Sequence, residues 1–328
     1  MVRNSLVALG IASSLALLAQ MAPAQAQNWP QRPITMIVSQ PAGTAPDVMA
    51  RFIAERLSQP LGQNVIIENK PGAANIVGTA AAAHAAPDGY TLFFATSAAL
   101  VTNPFMVKNL PYNPVKDFTP IALAARSYQV IVVNPSVQAK TLAELIALEK
   151  KAPGTFSMSV DGPRNLAGVV GAAINKYAGT NFVLIPAANV NTGAQDVMTG
   201  RTQAGVFSVS VIEQHVKAGT LRAIAVAPKD RAANLPDVPA AAETLPGFDF
   251  QGWFMVIAPA GISPDIVKKV NAAVNDVLKD PKVKELAQKL GFEFWPNGAG
   301  SPQDAAAFIQ KELALWEKIT KDLGIEPQ

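Results

Sequence analysis

Two α/β units in one chain are what the sequence predicts, and three observations predict them. The chain has 328 residues, of which 49% are hydrophobic and 16% charged, enough for two cores of moderate size. Short apolar runs rich in β-branched and aromatic residues alternate with longer stretches rich in Ala and Leu, the pattern of parallel strands joined by helices. The alternation runs through once, then resumes after residue 129.

At the amino terminus Arg3 precedes the uncharged run Leu6 to Met21, which leads into Ala24-Gln25-Ala26. That is the pattern of a secretory signal peptide cleaved after Ala26. A membrane anchor needs about 20 apolar residues, and this run is shorter and ends near Pro23. Export to the periplasm is therefore expected. Cys is absent, which removes disulfides, thiolate metal sites and a lipid-modified cysteine at the cleavage site. The formal charge of +3 carries no nucleic-acid footprint, although a mild positive bias suits anionic ligands.

In the first unit, ITMIV (34–38), NVIIEN (64–69) and YTLFFAT (90–96) read as strands. In the second, QVIVVN (129–134), FSMSV (156–160), FVLIP (182–186), QAGVFSV (203–209) and LRAIAVA (221–227) do so. FQGWFMVIAPAG (250–261) reads as one last strand and loop. Ser263-Pro264-Asp265 then opens a helix whose Ile266, Val267, Val270, Val274, Val277 and Leu278 share a face. Ser301-Pro302 opens another, carrying Phe308, Ile309, Leu313, Trp316 and Leu323 to Gly324. Both helices read as core and cover, not as active elements.

A search for catalytic machinery is negative. His84 and His215 are the only histidines, and neither has a second at metal-ligand spacing. The chain has no G-x-S-x-G elbow, no phosphate-binding G-x-x-x-x-G-K-[ST] loop and no calcium loop, and the Asp-Gly pairs at 88 and 161 read as turns. What remains stands at strand ends. Pro41 to Asp47 follows the first strand and opens a helix, so Ala42, Gly43 and Thr44 can offer backbone N–H groups to an anion. Asp47 alone reads as a first-turn acid. Thr96 and Ser97 end the third strand, where ligands of open α/β sheets sit and where hydroxyls also cap helices.

WPQRPITMIVSQPAGTAPDVMAR, GQNVIIENKPGAANIVGT, APDGYTL, NPFMVKNLPYNPVKDFTPI, VKAGTLRAIAV and LPDVPAAAE occur in one order from Trp29 to Pro327. Together they resemble the solute-binding proteins of tripartite tricarboxylate transporters, the TctC or Bug family. The resemblance implies a type II two-lobed periplasmic binding protein, a Venus flytrap hinged on two crossing strands. It places 27–125 with 252–328 in one lobe and 126–251 in the other. It implies a small organic carboxylate as ligand and the large and small integral membrane subunits of a transporter as partners. A monomer without cofactor, metal or enzymatic activity follows, with presentation of ligand to a signalling receptor as an alternative role and an exported enzyme as a more remote one.

Carried over residue by residue, the ligand's carboxylate falls to the first loop at Ala42, Gly43, Thr44 and Asp47, and the family's hydroxyl pair after the third strand falls to Thr96 and Ser97. In the second lobe the family's S-A-G-x-G-S-x-x-H-L corresponds to a shorter Ser159-Val160-Asp161-Gly162-Pro163-Arg164-Asn165-Leu166. This puts Ser159, Asp161, Gly162, Arg164 and Asn165 at the site, Arg164 as a carboxylate clamp or a solvated loop arginine. Where the family has P-Y-K-G-G this chain has Pro186-Ala187-Ala188-Asn189-Val190, and F-D-N becomes Phe207 with Ser208. The lost Tyr, Lys and Asp and the gained Phe207 predict a roomier, more apolar pocket that favours a benzoate-like or terephthalate-like acid.

Overall fold

The computed structural model describes residues 29–162, 165–295 and 298–328; the signal segment 1–26 and Arg164 lie outside the described residues. In chain order come β1 (Ile34–Val38), α1 (Ala45–Leu61), β2 (Val65–Asn69), α2 (Ile76–Ala83), β3 (Thr91–Thr96), α3 (Asn103–Met106) and β4 (Phe118–Val133). Then follow α4 (Leu142–Lys151), β5 (Ser157–Val160), α5 (Leu166–Ala178), β6 (Val183–Pro186), α6 (Val190–Met198), β7 (Ala204–Ser208), α7 (Val209–Lys217) and β8 (Arg222–Val226). The chain ends with β9 (Gln251–Pro259), α8 (Pro264–Lys279), α9 (Pro281–Lys289), β10 (Phe292–Glu293) and α10 (Pro302–Leu323).

These strands form two sheets that share β4. The first runs β2-β1-β3-β9-β4, with β10 on the far edge of β4. The second runs β6-β5-β7-β4-β8. Residues 118–128 of β4 pair with β9 and residues 129–133 pair with β7. One strand thus carries the chain from the first sheet into the second, and β9 brings it back.

The expected strands are present within a residue or two of their predicted ends, except that β4 begins at Phe118 rather than 129. Its first half contains Pro120 and three Ala, residues of low strand propensity, yet Ile121, Ala122, Ala124 and Ala125 are fully buried and the ladder to β9 runs along it. Burial and pairing override propensity there. β1 is buried on both faces apart from Thr35, as befits a central parallel strand covered by helices. α1 and α8 cover this sheet through Ile53, Leu57, Val270 and Val274, all fully buried. The predicted Ser263 cap makes no side-chain bond, whereas Ser301 accepts from the Asp304 N–H and Asp304 reciprocates, a complete capping box.

Direction decides where a ligand sits. β3 is antiparallel to β9 and β9 to β4, so β1, β2 and β3 run with β4 toward the second sheet. β7 is antiparallel to β4 and parallel to β5, which is parallel to β6, so these three run back toward the first sheet. All six carboxyl ends therefore converge on the waist of β4 and β9.

Candidate functional site

Carboxyl ends of parallel strands and the helix starts that follow them are where α/β folds hold ligands, because unpaired N–H groups point outward there. This fold brings together 39–47, 69–75 and 96–103 from the first sheet with 161–162, 165, 186–189 and 207–208 from the second. Six of the twelve buried side-chain atoms without a hydrogen-bond partner among the described residues belong to strand ends or to the crossing strands there: Ser39 Oγ, Gln40 Oε1, Tyr128 OH, Ser159 Oγ, Asp161 Oδ1 and Gln251 Oε1. Buried polar groups are normally paired, so such a cluster marks a place prepared for a polar occupant.

On the first-sheet side, Ala42 and Gly43 are exposed at the tip of the loop and Thr44 is half-buried. Gly43 has φ +81°, a left-handed conformation that a side chain would strain. Asp47 is not merely a dipole acid. It is buried, and its carboxylate accepts from Gly43 N at 2.8 Å, Arg51 Nε at 3.0 Å and Asn69 Nδ2 at 2.7 Å. Burial works against its charge, but the bonds from Asn69, Arg51 and Gly43 outweigh it and hold the carboxyl below its ordinary range. Asp47 is the residue that shapes the loop. Thr44 Oγ1 donates to the Pro41 carbonyl at 2.8 Å and so closes the turn. Thr96 is buried and its Oγ1 accepts from Ala99 N at 3.2 Å, a cap, while Ser97 stays half-buried beside it.

Between these loops lies a turn that the sequence reading passed over. Ala73, Ala74 and Asn75 have φ of +44°, +51° and +74°, three consecutive non-glycine residues in left-handed backbone. Each costs about 1 kcal/mol or more, and side chains hold the turn in place. Asn103 Nδ2 donates to the Ala74 carbonyl at 2.9 Å, and Gln40 Nε2 donates to Asn75 Oδ1 at 3.0 Å. Tyr112 OH, accepting from Asn103 Nδ2 at 3.3 Å, donates to the Ala99 carbonyl at 2.7 Å. The three strand ends of the first sheet are thereby tied into one network.

On the second-sheet side, Asn165 is the N-cap of α5 and its Nδ2 donates to the Asp161 carbonyl at 2.8 Å. Gly162 has φ +135°. Ala188 and Asn189 are exposed, and Asn189 caps α6 by accepting from Thr192 N at 2.9 Å. Ser208, the N-cap of α7, has its Oγ 3.2 Å from Ser210 Oγ. Ser159 is fully buried. Burial lifts the Asp161 carboxyl to a pKa of about 6, against the opposing pull of the backbone N–H groups of Asp161 and Gly168.

Phe207 departs from the expectation. The ring is 1% exposed and packs in a core with Tyr128, Val130 and Val197. It lies over Gly205 and under Gly193, where added Cβ atoms would stand 2.3 Å and 2.9 Å from ring carbons. These two glycines make room for the ring inside the unit, so it is no wall of the cleft.

A cavity of about 260 Å3 is lined from both sheets: by Ala74, Asn75, Ser97, Ala98, Thr102 and Asn103 on one side and by Asn165 and Leu166 on the other. Trp316 of α10 completes it. Of the expected site residues, Ser97 and Asn165 meet here. The cavity also corrects the reading of α10 as cover alone, because a Trp on its buried face reaches the site. The signal for the turn was present as Pro71-Gly72 followed by Ala-Ala-Asn, a break between a strand and a helix. Among the described residues, no group of three or more metal-ligating side chains is assembled, and no helix is long and apolar enough to cross a membrane.

Comparison with known proteins agrees with this geometry. The family model described as tripartite tricarboxylate transporter family receptor matches residues 49–325. A UPF0065 protein of Bordetella bronchiseptica is 36% identical over 312 residues, 95% of this chain and 92% of its own length. The solved structure of R. palustris Rpa4515 with adipate is 29% identical, with a TM-score of 0.79 over 92% of this chain and 100% of that one. The periplasmic binding protein BugD is likewise 29% identical, with a TM-score of 0.76 over the same shares.

Proposed function

This chain belongs to the family of tripartite tricarboxylate transporter receptors, solute-binding proteins of the periplasm, and from that premise we propose that it captures a small organic carboxylate between two lobes. The observation that carries the reading is the convergence of six strand ends on one waist, with a cavity there lined from both sheets by the segments after β2, β3 and β5. The adipate of the R. palustris relative supports the ligand class. Residues 27–125 with 252–328 form one lobe and 126–251 the other, with β4 and β9 as the hinge between them. Ligand favours the closed state only by the contacts it gains there. The carboxylate lies against 42–44 and the start of α1, in a loop that Asp47 holds, and the far end lies toward Asp161, Gly162 and Asn165. After removal of the leader at Ala26, the loaded protein delivers its ligand to the large and small membrane subunits.

An aromatic acid fits this reading through the short side chains of Ala187 and Ala188, while the buried Phe207 lends it no contact. Titration calorimetry of the chain from residue 27 with adipate, succinate and terephthalate tests the proposal. Saturable binding at one site is expected for at least one acid. Flat titrations with all three, from a folded sample, would refute it.

A further inference from the structure

Besides sharing β4 and lining one cavity, the two sheets touch at the edge of β4, where a single carboxylate joins them. Glu293 of β10 stands opposite Arg126 of β4 in the ladder of the first sheet. Its Oε2 accepts from Arg126 Nη2 at 3.1 Å, a cross-strand ion pair whose side chains are 10% and 17% exposed. The Arg126 guanidinium carbon lies 5.6 Å and 5.7 Å from the centres of the Tyr128 and Trp295 rings, which keep it on that side. The second oxygen goes elsewhere. Glu293 Oε1 accepts from the backbone N–H of Ala233 at 2.5 Å, and Ala233 lies in the loop that follows β8, the outer strand of the second sheet.

Two residues earlier the contact continues. Gly291, in the turn between α9 and β10, abuts the start of α7: a Cβ there would stand 2.6 Å from Val209 Cγ1 and 2.7 Å from the Ser210 backbone nitrogen. α7 is the helix whose N-cap is Ser208, at the carboxyl end of β7. Rotation of one sheet against the other about β4 and β9 changes the distance from Glu293 to Ala233, whereas the pair with Arg126 moves as part of one sheet. The bond to Ala233 is present in the arrangement in which both sheets line the cavity, so it stabilises that arrangement against those in which the halves separate. We propose that Glu293 is a latch between the lobes: it stands apart from the cavity walls, yet it raises affinity by favouring the arrangement that encloses a ligand. This rests on the two-lobe capture reading above and deepens it.

Two variants and three acids test the latch. Glu293→Ala deletes both bonds. Glu293→Asp, one methylene shorter, keeps a carboxylate for Arg126 but withdraws it from Ala233. In calorimetry with whichever of adipate, succinate and terephthalate the wild type binds, both variants are expected to bind at least about fivefold more weakly. Trp316 lines the cavity, so stopped-flow tryptophan fluorescence follows the same acid, and the loss is expected as faster release with association nearly unchanged. A purely local role for Glu293 predicts otherwise, because a smaller folded fraction lowers the calorimetric stoichiometry and leaves the release rate alone. Where Glu293→Ala does not fold, as judged by circular dichroism, Glu293→Asp decides the matter. Wild-type affinity and release rate in Glu293→Asp overturn the latch and leave carboxylate capture standing. Silence of the wild type toward all three acids overturns both.

Discussion

The two halves of the waist are built on one plan and finished differently. Each sheet places its strands in the order second, first, third, followed by a strand that crosses to the other sheet: β2-β1-β3-β9 on one side and β6-β5-β7-β4 on the other. Each also places an aspartate beyond its first strand, Asp47 after β1 and Asp161 after β5. Asp47 is buried among three donors and its carboxyl is held low; Asp161 keeps an oxygen without a partner and its pKa rises to about 6. The same residue type is held charged where the fold satisfies it and is pushed toward its neutral form where burial wins.

Removing Asp47 gives the largest effect. Asp47→Ala strands the Gly43, Asn69 and Arg51 donors, and urea unfolding is expected to show a loss of about 3 kcal/mol, reduced from the cost of a fully buried pair because Arg51 is half-exposed. Affinity for the acid falls with it, because the loop that meets the carboxylate loses its brace. An unchanged unfolding midpoint would mean that Asp47 does not hold the loop. Next comes Asn103→Ala, which frees the left-handed turn at 73–75 by deleting its bond to the Ala74 carbonyl. A cost of about 1–2 kcal/mol and a several-fold weaker acid are expected from denaturation and calorimetry.

Asp161→Asn acts in the opposite direction. An anion held in a half-buried place without a full set of partners costs stability, so the variant is expected to be more stable at pH 7 by about 1 kcal/mol. A destabilised Asp161→Asn would break the contrast between the two loops. Smallest is the pH dependence of that difference. Because the folded-state pKa of Asp161 lies above its ordinary 3.8, the protonated form stabilises the fold at low pH, and this contribution is lost as pH rises through about 6. The gap between variant and wild type should therefore close as pH falls from 7 toward 4. Asp47, held below 3.8, contributes stability above that value and loses it only as pH falls through its lower folded pKa. Melting curves of wild type and both variants across this range separate the two.

Much of this plan is legible in the residues. Strands such as ITMIV and TLFFAT announce themselves because β-branched and aromatic side chains fit a buried pleat, and the helix starts at Pro264 and Pro302 follow from proline and serine placement. The first half of β4 is not legible, since its alanines become strand only through pairing with β9, more than a hundred residues away. Asp47 and Arg51 lie at helical spacing and their contact can be read off, but Asn69 joins them only through the pairing of β1 with β2. Ser97 and Asn165 line the cavity, and their positions at strand ends are legible in the sequence. Ala74, Asn75 and Trp316 were missed because a turn and a distant helix reach the site only in three dimensions. Phe207 was assigned from a departure in one motif, while the glycines at 193 and 205 that make room for its ring spoke for the core.

Hydrogen–deuterium exchange on the chain from residue 27, with and without a saturating acid from the calorimetric series, tests the central claim most directly. Capture between the two halves predicts slower exchange in both 43–48 and 165–168 on binding, with the helix starts of the two sides protected together. Protection confined to one side, or to the outer groove around Thr119 and Pro264, would contradict it.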